Sequence, residues 1–164
     1  DAQESRGLGD VYKRQHLHTE GMYKDLLYCP VGVSTGFKVD AQGRVPTHIT
    51  MSGNEVFKVA VRSLGSIVDE TLAANGLDKS AIDWLIPHQA NLRIIDACAG
   101  RMGIDRSKVV INVDRYANTT AGTIPLCLYE ALLEEKRLKK GDYVVMSAFG
   151  AGFTWGSILL RWWE

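Results

Sequence analysis

Apolar residues recur along the chain with two rhythms, one of helical and one of strand period, and these predict its elements. Val56, Val59, Ala60, Leu64, Ile67, Val68 and Leu72 share one face at helical spacing, with Ser52 or Asn54 as N-cap and Gly76 as the stop. Trp84 to Pro87 is an apolar run of strand length, after which Asn91 can cap a second helix through Leu92, Ile95, Cys98 and Met102 that ends at Gly103. Val109 to Val113 alternates like a strand. Ala121 to Leu138 reads as a third helix, with Pro125 near its first turn, where a missing amide hydrogen is tolerated. Lys140-Gly141-Asp142 turns the chain into a strand from Tyr143 to Ala148, and Gly150-Ala151-Gly152 leads to a last extended run from Phe153 to Trp162. Helices alternating with apolar strands predict an α/β sheet whose active positions lie just beyond the carboxyl ends of its strands.

Ahead of the first helix, Leu17 to Met51 is interrupted by Pro30, Gly32, Gly36, Gly43 and Pro46 and reads as a long surface excursion. Residues 1–15 are polar and lack both amphipathic period and the apolar core of a signal peptide, so they are expected to be a disordered or foreign tail on a domain spanning residues 16–164. With 164 residues, 46% of them apolar, the chain has material for one ordinary core. Lysine plus arginine equals aspartate plus glutamate at 19 each, which argues against nucleic acid or an anionic membrane as partner. No apolar run approaches the roughly 20 residues of a membrane span. Cys29, Cys98 and Cys127 are odd in number and scattered, without the spacing of a zinc site, so a reducing cytoplasm is the expected compartment and no metal is expected. His16 and His18 are read as surface strand residues rather than metal ligands.

Three segments that could carry chemistry fall where the pattern ends its strands: Pro87-His88-Gln89-Ala90-Asn91, Tyr116-Ala117-Asn118-Thr119-Thr120 and Phe149-Gly150-Ala151-Gly152. A lone histidine after a strand is as readily a hydrogen-bonded structural residue, and a lone asparagine commonly serves a turn. Together they supply an imidazole N–H and a carboxamide N–H able to point at one oxygen on which negative charge develops, as in formation of an enolate. Glycines in the last segment allow a ligand to approach the backbone closely, or simply make a tight strand connection. Their spacing is not a dinucleotide fingerprint, because they lead into a strand rather than a helix.

Four strings, Gly53-Asn54-Glu55-Val56-Phe57-Lys58, Pro87-His88-Gln89-Ala90-Asn91, Asn118-Thr119-Thr120-Ala121-Gly122 and Phe149-Gly150-Ala151-Gly152-Phe153-Thr154-Trp155-Gly156, closely resemble the beta-ketoacyl-acyl carrier protein synthase III family. The resemblance covers residues 16–162 in order. It implies the carboxyl-terminal half of a thiolase-like layered fold, a mixed sheet flanked by helices, in an acyltransferase that works as a homodimer. The implied reaction condenses an acyl-CoA primer, usually acetyl, with malonyl-acyl carrier protein to start fatty acid synthesis, with coenzyme A thioester as substrate and no cofactor. His88 and Asn118 match two members of the family's cysteine, histidine and asparagine triad. By the same resemblance Gly150, Ala151 and Gly152 form an oxyanion loop, and Asn54, Phe57, Ala90 and Asn91 line the pantetheine tunnel, Asn91 being equally explicable as a helix cap. Lys58 and Arg93 match positions that dock the acidic carrier protein, and are equally explicable as solvated charges.

The triad's cysteine belongs to the amino-terminal half of the family. Cys98 and Cys127 fall inside patterned helices and Cys29 in the excursion, so none inherits its role. The chain alone is therefore expected not to condense substrates, and to expose an apolar face that the other half would cover. Two alternatives stand beside this reading. One is a non-catalytic remnant that binds carrier protein or dimerises. The other is a thiolase or polyketide synthase relative, which fits less well because thiolases place a cysteine just before the terminal glycine loop, where this chain has Ala148-Phe149.

Overall fold

The computed structural model of the protein describes residues 12–31, 36, 39–45 and 48–162. At its centre is a four-stranded mixed sheet of β1 (Tyr12–Thr19), β4 (Trp84–Pro87), β5 (Tyr143–Gly150) and β6 (Thr154–Arg161), in the order β1-β6-β5-β4. β4 and β5 run parallel, while β6 is antiparallel to both β5 and β1. Side-chain alternation sends neighbouring residues to opposite layers. Leu85, Val145 and Leu159 face a core completed by α1 (Gly53–Ala73) and α2 (Leu92–Met102). Ile86 and Val144 face a second core with Cys127 and Ala131, on the side of α4 (Thr123–Tyr129). The expected layered α/β arrangement, with helices on both faces of the sheet, is the one observed.

α1 buries the face read from the sequence, Val56, Val59, Ala60, Leu64, Ile67, Val68 and Leu72. It ends where glycine can take positive φ: Gly76 (φ +65°) donates to the Ala73 carbonyl and Leu77 to that of Leu72, closing a Schellman motif. Gly103 (φ +68°) ends α2 in the same way, with Ile104 donating back to Ala99. Ser52 occupies the N-cap position of α1 but makes no side-chain cap.

Three expectations change. β1 begins at Tyr12, so the sheet starts inside the stretch read as a tail. Its polar residues carry no strand pattern, and its place comes from a non-local ladder to β6, from Tyr12 opposite Leu160 to Thr19 opposite Thr154. Residues 1–11 lie outside the described residues, as do residues 32–35, 37–38 and 46–47 of the excursion. Its described remainder includes the end of β1, a 3-10 turn (Gly21–Leu26), a turn from Asp40 to Arg44 and the short pair β2 (Leu27–Tyr28) and β3 (Thr50–Met51), with Met22, Ile49 and Met51 exposed.

Val109 to Val113 is not a strand beyond a single parallel bridge from Val109 to Leu85, and Val113 opens α3 (Val113–Tyr116). The reason is a side chain that substitutes for a strand. The buried Gln89 carboxamide donates to the carbonyls of Pro87 (2.8 Å) and Val110 (3.2 Å) and accepts the Asn112 amide (3.1 Å).

The helix expected from Ala121 to Leu138 is instead a 3-10 turn (Thr120–Gly122), then α4, then a π turn (Glu130–Glu134). Lys136, at φ +50°, follows the wide turn, and Leu138 returns to the second core outside any helix.

Candidate functional site

β4 and β5 are adjacent and parallel, so their carboxyl ends share one edge of the sheet. His88 stands one residue past β4, where its amide donates to the Ser147 carbonyl (2.7 Å) and prolongs the ladder beyond a proline that cannot donate to it. The backbone of His88 is thereby fixed to β5. Its ring is half-buried, and that burial holds the imidazole below its ordinary pKa, so it is neutral at pH 7.

Asn118 is exposed and follows the short α3 rather than a strand. Its Oδ1 accepts the Thr120 amide (3.0 Å), which leaves the carboxamide N–H₂ available to a ligand. The residues around it, Ala117 and Thr120, both have φ +53°, a region that residues with a Cβ rarely adopt and that a β-branched threonine adopts still less. Strain of this kind persists only where the surroundings enforce it.

A side chain that the sequence did not single out ties the two together. Thr123, in the first turn of α4 and 1% exposed, places its hydroxyl 2.6 Å from His88 Nδ1 and 3.1 Å from the Thr120 carbonyl. A continuous path therefore runs from the Asn118 carboxamide through the Thr120 peptide, whose carbonyl also accepts the Thr123 amide, to the Thr123 hydroxyl and the His88 ring.

Behind this path lies a buried network. Glu130, 2% exposed, accepts from Asn112 Nδ2 (2.9 Å) and from Arg115 Nη2 (2.7 Å), and the Asn112 Oδ1 receives the Cys127 thiol (3.1 Å). The nearby Glu130 carboxylate raises the Tyr116 phenol above its usual value. These contacts anchor α3 and so the loop that carries Asn118. Glu130 lies in a segment that reads as an ordinary charged helix, and only its partners' positions in the fold show its burial.

Gly150 closes β5 opposite Thr154, and Ala151 and Gly152 begin the turn to β6, at the sheet edge that also carries His88. Gly152 has φ +135°, and a Cβ there would meet Thr154 Oγ1 at 2.9 Å and Thr154 N at 3.2 Å. The following Phe153 is fully buried. It exchanges backbone hydrogen bonds with Glu20 (2.8 and 2.9 Å) and packs against Phe149 and Tyr23, with ring centroids 4.7 and 5.5 Å away.

The remaining candidates gather at the amino-terminal ends of α1 and α2. Arg93 extends its guanidinium over the Phe57 ring, 5.9 Å from the centroid, and so joins the helices that carry Asn54, Phe57 and Lys58 on one side and Asn91 on the other. Lys58 is exposed beside Glu55 (3.3 Å). Asn91 caps α2, its Oδ1 accepting the Arg93 amide (2.8 Å), so the cap reading holds whatever else the residue does. Ala90 is half-buried next to it.

Cys98 and Cys127 are buried, and burial pushes their thiols up to about 11 and about 12. Cys29 is exposed, its thiol donating to the Val31 carbonyl (3.1 Å). His16 lies against Thr71 (3.1 Å) and His18 against Glu70 (2.7 Å), and among the described residues no group of acidic, histidine or cysteine side chains is arranged to hold a metal ion. No helix of the described residues is long and apolar enough to cross a membrane.

Residues 72–162 match the family model described as 3-Oxoacyl-[acyl-carrier-protein (ACP)] synthase III C terminal. Over 148 residues the chain is 53% identical to the beta-ketoacyl-[acyl-carrier-protein] synthase III of Alkalilimnicola ehrlichii, an alignment covering 90% of this chain and 45% of that protein. Among solved structures, the 3-oxoacyl-[acyl-carrier-protein] synthase III of Aquifex aeolicus superposes with a TM-score of 0.78 at 39% identity, over 93% of this chain and 44% of that one. The corresponding Thermus thermophilus structure gives 0.80 at 38% identity, over 92% and 46%. The chain thus spans a little under half the length of the relatives it matches. In sequence and in its thiolase-like layered fold, it belongs to the 3-oxoacyl-[acyl-carrier-protein] synthase III family, whose carboxyl-terminal part it represents.

Proposed function

We propose that this chain supplies the enolate-stabilising half of a decarboxylating condensing enzyme that joins an acyl-CoA primer, expected to be acetyl-CoA, to malonyl-acyl carrier protein at the start of fatty acid synthesis. The observation that carries the reading is the set of contacts joining the His88 imidazole to the Asn118 carboxamide: the Thr123 hydroxyl lies against the ring, the Thr123 amide donates to the Thr120 carbonyl, and the Thr120 amide donates to Asn118 Oδ1. Loss of CO₂ from the malonyl thioester leaves an electron pair delocalised onto the thioester oxygen. N–H donors from a neutral imidazole and a carboxamide stabilise that oxygen without themselves having to titrate. The enolate carbon then attacks an acyl thioester held on a cysteine and expels the thiolate.

The acyl-carrying cysteine comes from outside this chain. Cys98 and Cys127 are buried thiols raised far above neutrality, unsuited to that role. Cys29, though exposed, lies in the segment between β1 and α1 that the resemblance gives no catalytic role, so on this reading the 164-residue chain by itself does not condense. Backbone amides of the Gly150, Ala151 and Gly152 turn serve the tetrahedral oxyanion. Asn54, Phe57, Ala90 and Asn91 flank the pantetheine arm, and the exposed Lys58 and Arg93 meet the acidic carrier protein. A cytoplasmic homodimer is the form expected of the whole enzyme.

The test is a hybrid in which residues 53–162 replace the matching part of the Alkalilimnicola ehrlichii relative. The hybrid should condense acetyl-CoA with malonyl-acyl carrier protein, the chain alone should not, and His88→Ala in the hybrid should lower kcat by roughly 10²–10³. A hybrid indifferent to His88→Ala would overturn the proposal. The exposed cations also suit a second reading, a chain that only binds carrier protein. That reading requires binding by the isolated chain that weakens with salt and with Lys58→Glu or Arg93→Glu.

A further inference from the structure

Whether His88 can donate to an enolate depends on which ring nitrogen bears its single proton, and the residues around Thr123 decide that. A threonine hydroxyl has one proton to give. Here it has two neighbours able to accept it, His88 Nδ1 at 2.6 Å and the Thr120 carbonyl at 3.1 Å. Were the proton directed to Thr120, Nδ1 would have to carry the ring proton and donate it to the hydroxyl. Nε2 would then be a bare acceptor, repelled by a developing oxyanion.

Two features of the site favour the other arrangement. The Thr120 carbonyl does not depend on the hydroxyl for a partner, because it accepts the backbone N–H of Thr123 at the start of α4. The contact to the ring is also the shorter by half an ångström, in the range of an O–H donor, whereas N–H donors most often sit at about 2.9–3.0 Å. Burial of Thr123 leaves the hydroxyl little access to water as a third partner.

We propose that Thr123 is a positioning residue: its hydroxyl donates to His88 Nδ1, so that the imidazole proton resides on Nε2 and the ring presents a donor to the substrate oxygen. The consequence for catalysis rests on the role proposed above for His88, but the assignment of the proton does not. The same contact sets the angle of the ring, because Thr123 is fixed in a helix and the backbone of His88 is fixed to β5.

The experiment is ¹⁵N NMR of the full 164-residue chain with labelled histidine, in which two-bond couplings to the ring carbon-bound protons distinguish a bare nitrogen from a protonated one. At pH 7.5 His88 should show a bare Nδ1 and a protonated Nε2. Thr123→Val, which keeps the shape and removes the hydroxyl, should shift the ratio towards Nδ1–H by roughly fivefold, the factor an ordinary hydrogen bond contributes. Thr123→Ser should retain the wild-type state. A wild-type Nδ1–H ring would overturn the proposal, and so would a folded Thr123→Val chain with an unchanged ratio. If the valine variant fails to fold, the wild-type and serine spectra decide alone. A wild-type ring found as Nδ1–H, with His88→Ala still slowing condensation in the hybrid, would discard this inference and leave the functional reading standing.

Discussion

Removing Arg115 should show how firmly the loop bearing Asn118 is held. Its guanidinium is the one cation seen on Glu130 among the described residues, and the pair is lopsided: Glu130 is 2% exposed and the Arg115 side chain 48%. Stripping the partner from a fully buried charge costs about 3–5 kcal/mol. Solvent around Arg115 reduces that, since exposed pairs contribute only about 0–1 kcal/mol, and the Asn112 amide remains on the carboxylate. Between these limits, Arg115→Ala should destabilise the chain by about 2 kcal/mol. Glu130→Gln preserves volume and an oxygen for Asn112 and should cost about 1 kcal/mol. Urea unfolding of both single variants and of the double variant forms a cycle. The double variant should be more stable than the summed losses imply, by about 1 kcal/mol, because once the carboxylate is gone Arg115 has nothing left to neutralise. Strict additivity, or a change below ~0.5 kcal/mol for Arg115→Ala, would refute the anchoring argument.

Further outcomes follow from single contacts. Asn91→Ala removes the side-chain cap of α2 and should lower stability by about 1 kcal/mol in the same assay. Gly152→Ala forces a Cβ into a conformation at φ +135° with Thr154 at 2.9 Å, and thermal unfolding should register a loss of about 1–3 kcal/mol. Thiol labelling of the native chain should modify Cys29 and spare Cys98 and Cys127 until denaturant is added. Because burial lowers the His88 pKa, the unfolded chain binds its proton more readily. The resulting loss of stability sets in as pH falls through about 6.5, and NMR titration of the native ring should give a midpoint below that value.

What could be read from the sequence was whatever one segment decides by itself. α1 was legible because its apolar stripe, its length and Gly76 agree, and the Asn91 cap because capping is local. His88 and Asn118 could be singled out as candidates from short strings, though nothing in those strings says that a third residue joins them. β1 was not legible, because a polar strand is held by a partner some 140 residues away rather than by its own pattern. The strand expected at Val109 to Val113 failed for a related reason: Gln89, a residue of another segment, takes over hydrogen bonds that a neighbouring strand would make. Thr123 and Glu130 looked like unremarkable helix positions, and their significance is purely tertiary.

The central claim is that His88 and Asn118 act as one unit on one enolate oxygen, and release of CO₂ from malonyl-acyl carrier protein by the hybrid enzyme reads that step separately from acyl transfer. His88→Ala and Asn118→Ala should each slow decarboxylation by roughly 10²-fold or more, and the double variant should be scarcely slower than either single one. Multiplying losses in the double variant, or full decarboxylation without either side chain, would contradict it.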